Sequence, residues 1–193
     1  MKSILSALAL AASCLLPSQT MAGGYFGANV GWGNLDDDCK GTTRCDYNGT
    51  AFKGAAGYNF SPIFGAEVGY IAFGKSTATY MSGRDSADIT MTNNYSYLAG
   101  VARLTLNQSW TVFTRLGIGA MKTNANVSLL TGAGKATSVA MDESSTQAIA
   151  GLGADYSLAP NVKLNLSADF SRTKFGNGQS NVRALTVGIR YDL

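Results

Sequence analysis

The sequence predicts an all-β protein, an eight-stranded antiparallel up-and-down transmembrane β-barrel. Three observations favour this fold. Beyond residue 22, eight segments alternate apolar residues with polar or small ones, which is the period of a β-strand. The connections between these segments alternate between tight and long. Aromatic residues collect on the apolar face near the segment ends, whereas no downstream stretch reaches the length of a membrane-spanning helix.

The N-terminal segment has the layout of a secretory signal peptide. Lys2 gives a basic start, residues 4–16 are apolar, and small residues precede a cleavage site after Ala22. We therefore predict a signal peptide at 1–22 and a barrel domain at 23–193. A lipoprotein box ending at Cys14 is the alternative, but Ala11 stands where such boxes usually carry leucine.

Each of the eight predicted strands shows the alternation separately. In the fifth, Trp110, Val112, Leu116 and Ile118 lie opposite Arg115 and the glycines. In chain order the strands are YFGANVGWG (25–33), AFKGAAGYNF (51–60), FGAEVGYIAF (64–73), YLAGVARLTL (97–106), WTVFTRLGIGA (110–120), QAIAGLGADYSL (147–158), VKLNLSADF (162–170) and LTVGIRYDL (185–193).

The connections show how the strands are arranged. Tight turns with Asn, Ser or Pro occupy 61–63, 107–109 and 159–161, whereas long connections occupy 34–49, 74–94, 121–146 and 171–181. In an even-stranded meander, this alternation predicts that all long loops lie at one end, as in outer-membrane barrels.

Alternation alone does not say which face points outward, because a soluble lipocalin-like carrier places its apolar face inside. Glycines and charges on the other face suit a narrow polar lumen. Aromatic rings on the apolar face favour a membrane interface. The predicted aromatic girdle comprises Trp32, Tyr58, Phe60, Phe64, Trp110, Tyr156 and Tyr191.

Several segments resemble a known family. YFGANVGWGN and TAFKGAAGYNFSPIFGAEVGYIAFG resemble the opening hairpins of small OmpA-like outer-membrane barrels, and RLGIGA and VGIRYDL resemble the fifth and last strands. The resemblance covers residues 24–193 and the barrel domain only. It implies the cell outer membrane and recognition of the last strand by the barrel-assembly machinery, although Leu193 stands where Phe is usual.

The lumen face of the predicted strands carries charges of both signs. An eight-stranded barrel is just wide enough for side chains to fill it, so these charges should pair across the lumen. For Arg115 the predicted partners are Glu67 and Asp155. A structural plug is the favoured interpretation, and an ion gate is the alternative. The predicted network comprises Lys53, Glu67, Arg103, Arg115, Asp155, Lys163, Asp169 and Arg190.

Cysteine and histidine content bounds the chemistry. Loss of Cys14 with the signal leaves Cys39 and Cys45, an even pair that predicts a disulfide in an exported protein. The chain contains no histidine, which argues against a zinc site and removes the commonest general base. We therefore expect no enzymatic activity, no metal and no cofactor.

Without Lys2 the formal charge falls from +3 to +2, which gives no support for nucleic-acid binding.

These observations predict a structural or surface-interaction role for a monomeric barrel. The partners we expect are outer-membrane lipid, lipopolysaccharide, the assembly machinery and host or surface ligands that contact the long loops. A narrow ion-conducting pore gated by lumen charge pairs is the alternative.

Overall fold

The computed structural model describes residues 23–36, 42–83, 85–130, 136–175 and 178–193, and these residues form nine strands. The predicted signal peptide, with Cys14, lies outside the described residues. The strands are β1 Gly23–Asp36, β2 Arg44–Asp46, β3 Asn48–Asn59, β4 Phe64–Ser82, β5 Asp85–Thr105, β6 Trp110–Leu130, β7 Ala136–Ala159, β8 Val162–Phe175 and β9 Gly178–Asp192. No helix in the described part of the chain is long and apolar enough to cross a membrane.

The strands form a closed antiparallel ring. From β3 to β9, each strand pairs with the next one in sequence, and β1 closes the ring by pairing with both β3 and β9. The three-residue β2 continues β3 beyond Tyr47 and pairs with Thr77–Thr79 of β4. The nine segments therefore make eight barrel strands, which confirms the predicted fold.

The register sets the tilt of the barrel. Following paired residues from Tyr25 through every strand leads back to Leu35, which lies ten residues further along β1. With eight strands, this stagger corresponds to a tilt of about 40° and to an interior that side chains can fill.

The two faces of the wall are those that alternation predicts. Phe26, Val30 and Leu116 point outward and are exposed, whereas Tyr25 and Arg115 point into the lumen and are buried. Burial alternates in the same way along β5, β6 and β9. The outer face is thus apolar, and the inner face carries the charges.

The long connections are mostly strand, so the prediction of long loops is wrong for most of their length. Residues 74–82 and 85–94 extend β4 and β5 into a hairpin that turns at Gly83, and residues 121–130 and 136–146 extend β6 and β7. The four strands β4 to β7 run for 19 to 24 residues, against 12 to 15 for β1, β3, β8 and β9. The barrel wall is therefore taller on the side formed by β4 to β7, at the hairpin end.

The barrel has two distinct ends. The turn end holds residues 61–63, 107–109 and 160–161 together with Gly23 and Leu193, and the hairpin end holds the tips of the long strands. Inside, an apolar layer lies toward the hairpin end. It consists of buried side chains from six strands, namely Leu35, Ile71, Phe73, Tyr95, Met121, Ile149 and Val182.

An irregularity in β4 contributes to this layer. The pairing of β4 with β5 shifts between Ala72 and Lys75, and Gly74 there adopts a φ of 89°. The backbone of Phe73 lies against Gly33 so closely that a Cβ at Gly33 would be 1.9 Å from the Phe73 carbonyl oxygen. A glycine at position 33 is what allows this segment to enter the lumen.

Candidate functional site

The charged side chains of the lumen form two linked clusters between the turn end and the apolar layer. In the first, Asp155 of β7 is the centre. Its Oδ2 accepts from Arg190 Nη1 at 2.8 Å and from Arg103 Nη1 at 3.1 Å, and its Oδ1 accepts from the Asn165 side chain. Arg103 Nε also donates to Asn59 Oδ1. One carboxylate thus holds two guanidinium groups from opposite sides of the barrel.

The partly exposed side chains of Lys163 and Asp192 extend this first cluster to the opening of the lumen at the turn end. Arg190 Nε lies 2.8 Å from Asp192 Oδ1, and Lys163 Nζ lies 2.7 Å from Asp192 Oδ2. These side chains line a cavity of about 380 Å³ that opens at the turn end. The mouth is therefore charged and open to water, in contrast to the interior.

The second cluster lies deeper and is centred on Arg115. Its Nη1 is 3.2 Å from Glu67 Oε1 and 3.1 Å from Asp169 Oδ1. Lys53 Nζ binds the other oxygen of Asp169 at 2.7 Å and also donates to Ser167 Oγ at 2.9 Å. Both carboxylates are therefore fixed by cations from facing strands.

Aromatic side chains connect the two clusters. Tyr25 donates to Glu67 Oε2 at 2.9 Å, and its ring lies 3.9 Å from the guanidinium of Arg190 and 4.6 Å from that of Arg103. Tyr97 donates to Glu67 Oε1 at 2.7 Å. The Phe113 ring lies 5.0 Å from the guanidinium of Arg115. Contacts of this kind stabilise a desolvated cation.

The network is nearly balanced in charge. It brings together five cations and four carboxylates: Lys53, Arg103, Arg115, Lys163, Arg190, Glu67, Asp155, Asp169 and Asp192. All of these except Lys163 and Asp192 are buried. Removing one member would leave its partners charged and buried, and an unpaired buried charge is far costlier than a paired one. The members of each cluster therefore depend on one another for their stability.

All eight charged residues of the predicted network lie on the lumen face, each within an ion pair. One pairing differs from the prediction. Arg115 binds Glu67, but its second partner is Asp169, so the predicted pairing with Asp155 is wrong. Arg115 lies opposite Gly151 of β7, and Gly151 lies opposite Asp169 of β8, so the two charges meet over a glycine. Asp155 lies four residues nearer the turn end than Gly151, where it contacts Arg103 and Arg190.

The seven aromatic residues of the predicted girdle all lie exposed on the outer face. Trp32 lies toward the hairpin end of β1. The other six are close to the turn end, where the Trp110 and Tyr156 ring centroids are 4.9 Å apart and Tyr191 is 5.6 Å from Phe26. Toward the hairpin end, Trp32 shares the outer face with Phe52, Tyr70 and Phe170.

Other predicted features fall partly outside the described residues. Cys45 lies in β2, but Cys39 is outside them, so the disulfide stays a prediction. Within the described part of the chain, no group of three or more His, Cys, Asp or Glu side chains could hold a metal ion.

The apolar layer and the aromatic links were not predicted from the sequence. Ile71, Phe73 and Tyr97 occupy lumen positions of strands whose inner face was expected to be polar, and Met121 lies in a segment expected to be a loop. Continuing the alternation past the apparent strand ends would have placed Met121 inside, because it is six residues from Arg115 and so on the same face.

Comparison with known proteins identifies the family. The family model described as the OmpA-like transmembrane domain matches residues 19–192. The chain belongs to this family. The protein is accordingly an outer-membrane β-barrel, as the resemblance implied.

Solved structures show the same fold at low sequence identity. The outer-membrane protein OprG of Pseudomonas aeruginosa is 15% identical, with a TM-score of 0.55 over 92% of this chain and 99% of that one. Ail of Yersinia pestis, in complex with the heparin analogue sucrose octasulfate, is 16% identical, with a TM-score of 0.51 over 88% and 99%. The outer membrane protease OmpT of Escherichia coli is 10% identical, with a TM-score of 0.52 over 94% and 100%. No curated protein sequence matches the chain.

Proposed function

We propose that this OmpA-like barrel is closed to ions and has no enzymatic activity. In this proposal it supports the cell envelope and presents a binding surface at its hairpin end. The observation that carries the proposal is the double filling of the lumen. The ion-paired clusters occupy one level, and the apolar layer occupies the next level toward the hairpin end.

The two levels oppose ion passage by different means. At the charged level, an ion must compete with pairs such as Lys53–Asp169, whose members are both buried. At the apolar level, Ile71, Tyr95 and Met121 are fully buried, so an ion would lose its hydration shell without receiving ligands. Rearrangement of Arg115 alone would leave the second level closed.

The raised wall supports a surface role. Tyr80, Ala87 and Leu129 lie directly opposite one another on β4, β5 and β6, and Val127 lies opposite Val139 of β7. These residues continue the lumen face beyond the barrel rim, where Tyr80, Leu129, Val139 and Met141 are exposed. We call these four residues the concave patch. Exposed apolar patches of this kind typically mark interaction sites.

Two further proposals concern assembly. We propose that the barrel is a monomer, because the ring is closed and each barrel strand has two neighbours. We also propose that the assembly machinery reads β9, whose outer face carries Leu185, Val187, Ile189 and Tyr191.

A narrow gated pore is the second candidate. In its favour, the charged mouth of about 380 Å³ is followed by a gap of about 20 Å³ between the two clusters, lined in part by Glu67, Arg103 and Arg115. For this gap to conduct, both the charge pairs and the apolar layer would have to move.

Planar-bilayer recording separates the two candidates. We expect the purified barrel and the Arg115→Ala variant to show no reproducible channels. Reproducible unitary conductance in the unmodified protein, abolished or altered by Arg115→Ala, would contradict the closed barrel and establish the pore.

The surface role is tested with a matched pair of variants. Leu129→Ser lies in the concave patch, whereas its neighbour Leu130→Ser is similarly exposed on the opposite face of β6. We expect cells carrying the double variant Leu129→Ser/Met141→Ser to adhere less to host-cell or glycan-coated surfaces than cells carrying Leu130→Ser. Equal adhesion of both variants and the unmodified protein would refute a role for the patch.

A further inference from the structure

The outer wall contains a groove where β7 and β8 separate. Their pairing begins near the turn end and reaches only Ile149 and Ser171, although both strands continue toward the hairpin end. The resulting notch has a volume of about 600 Å³. A side-chain hydrogen bond crosses it, from Ser171 Oγ to the Ala148 carbonyl oxygen at 2.8 Å.

The groove is apolar at one end and basic at the other. Ala148 and Ala150 form a shallow floor between the larger Leu116 and Phe170, all of which belong to the apolar outer face. Toward the hairpin end, the lining changes to exposed polar and basic side chains, namely Arg172, Gln179, Asn181 and Arg183.

The basic end lies at the edge of the apolar face. Arg183 of β9 lies directly opposite Phe170 of β8. Two residues further toward the hairpin end, Arg172 of β8 lies opposite Asn181 of β9. Phe170 shares this level of the outer face with Trp32 and Phe52, the amphipathic or aromatic rings expected at a membrane boundary. In outer-membrane barrels the longer connections face outward, so these arginines lie at the headgroup level of the outer leaflet.

We propose that this groove binds a phosphorylated, multiply acylated glycolipid of the outer leaflet, that is, lipid A. An acyl chain would lie on Ala148 and Ala150, where small side chains leave room against Phe170. A phosphate would contact Arg172 and Arg183, since guanidinium groups match phosphate geometry and basic residues at this level attract anionic lipid. The residues proposed to contact the lipid lie on the outer face of the wall, so the proposal does not depend on whether the barrel conducts ions.

Native mass spectrometry of the refolded, full-length mature barrel tests the site with defined lipids. The probes are bis-phosphorylated lipid A, dephosphorylated lipid A and phosphatidylglycerol. We expect the barrel to retain bis-phosphorylated lipid A, and the Arg172→Ala/Arg183→Ala variant to retain on the order of tenfold less. Ala150→Leu fills the floor without changing charge, and it should also weaken retention. Heat-modifiable gel migration checks that each variant is folded.

The matched control is Lys75→Ala on β4, an exposed basic residue on the far side of the barrel from the groove. This variant should retain bis-phosphorylated lipid A as the unmodified protein does. An equal loss with Lys75→Ala, or equal retention of phosphatidylglycerol, would reduce the effect to general attraction of anionic lipid and overturn the proposal. Unchanged retention in Ala150→Leu would overturn the acyl-chain part of the site.

Discussion

Arg115 Nη1 lies 3.1 Å from Asp169 Oδ1, and this ion pair joins β6 to β8 over Gly151 of β7. Lys53 occupies the other carboxylate oxygen, so Asp169 is held from two directions. Arg115 in turn also contacts Glu67 at 3.2 Å. In a stretch of sequence that is otherwise apolar or small, Arg115 is thus the group that balances two buried carboxylates.

Replacing Arg115 with methionine should destabilise the barrel strongly. Glu67 would keep its hydrogen bonds from Tyr25 and Tyr97 but lose its ion pair, and breaking a buried pair from one side typically costs about 3–5 kcal/mol. The measurement is urea unfolding in lipid vesicles, followed by tryptophan fluorescence. In the double variant with Glu67→Gln, the loss should be smaller than the sum of the two single losses.

Lys163→Met is the matched control for this prediction. Lys163 also forms a lumen-face ion pair, but its side chain and that of Asp192 are partly exposed. The loss of a solvated pair should cost below about 1 kcal/mol. Equal losses for Arg115→Met and Lys163→Met would show that burial does not set the strength of the network.

Asp155→Asn should be among the most damaging isosteric changes in the barrel. Asp155 accepts from both Arg103 and Arg190, and an amide would leave these two guanidinium groups without the charge that holds them together. We expect a loss of about 3–5 kcal/mol in the same unfolding measurement. Asp192→Asn, at the solvated mouth, should cost below about 1 kcal/mol. The reverse order of the two variants would contradict the central position of Asp155.

Much of the fold could be predicted from the sequence because barrel strands encode their two faces locally. Arg115 alternates in phase with Gly117 and Gly119, and this pattern alone predicts that its side chain faces the lumen. The partner Asp169 does not follow from alternation within one strand, because the pairing register decides it: Arg115 lies opposite Gly151, and Gly151 lies opposite Asp169.

The apolar layer and the raised wall were missed for a different reason. The mostly polar segment 121–126 has the composition of a loop. In the structure, however, Met121 and Ala125 are buried, and the Thr123 hydroxyl donates a hydrogen bond to Asn93 Oδ1 at 2.8 Å. Strand pairing supplied the context that local composition lacked. Single-strand alternation does not distinguish a polar strand above the membrane from a loop.

The predicted Cys39–Cys45 disulfide can be tested by mass. We expect the exported protein to be about 2 Da lighter than its reduced form, and Cys39→Ser/Cys45→Ser to remove the difference. Because the loop closed by the bridge is short, the stability lost should be modest, below about 3 kcal/mol by loop-closure entropy. Two free thiols that react with an alkylating agent in the unreduced, folded protein would contradict the pairing.

A pair of glycine variants should separate tight packing in the lumen from backbone flexibility. At Gly33 a Cβ would lie 1.9 Å from the Phe73 carbonyl oxygen and 2.7 Å from its carbon, and these backbone atoms cannot move without disturbing the apolar layer. Gly33→Ala should therefore destabilise the barrel by about 1–3 kcal/mol. Gly54 faces outward and would meet nothing within 4 Å, so Gly54→Ala should stabilise it by about 0.5–1 kcal/mol through reduced freedom of the unfolded chain. Urea unfolding of both variants gives the two signs directly. An unaffected Gly33→Ala would show that Phe73 does not pack against β1 as described, and a destabilised Gly54→Ala would contradict the open space at Gly54.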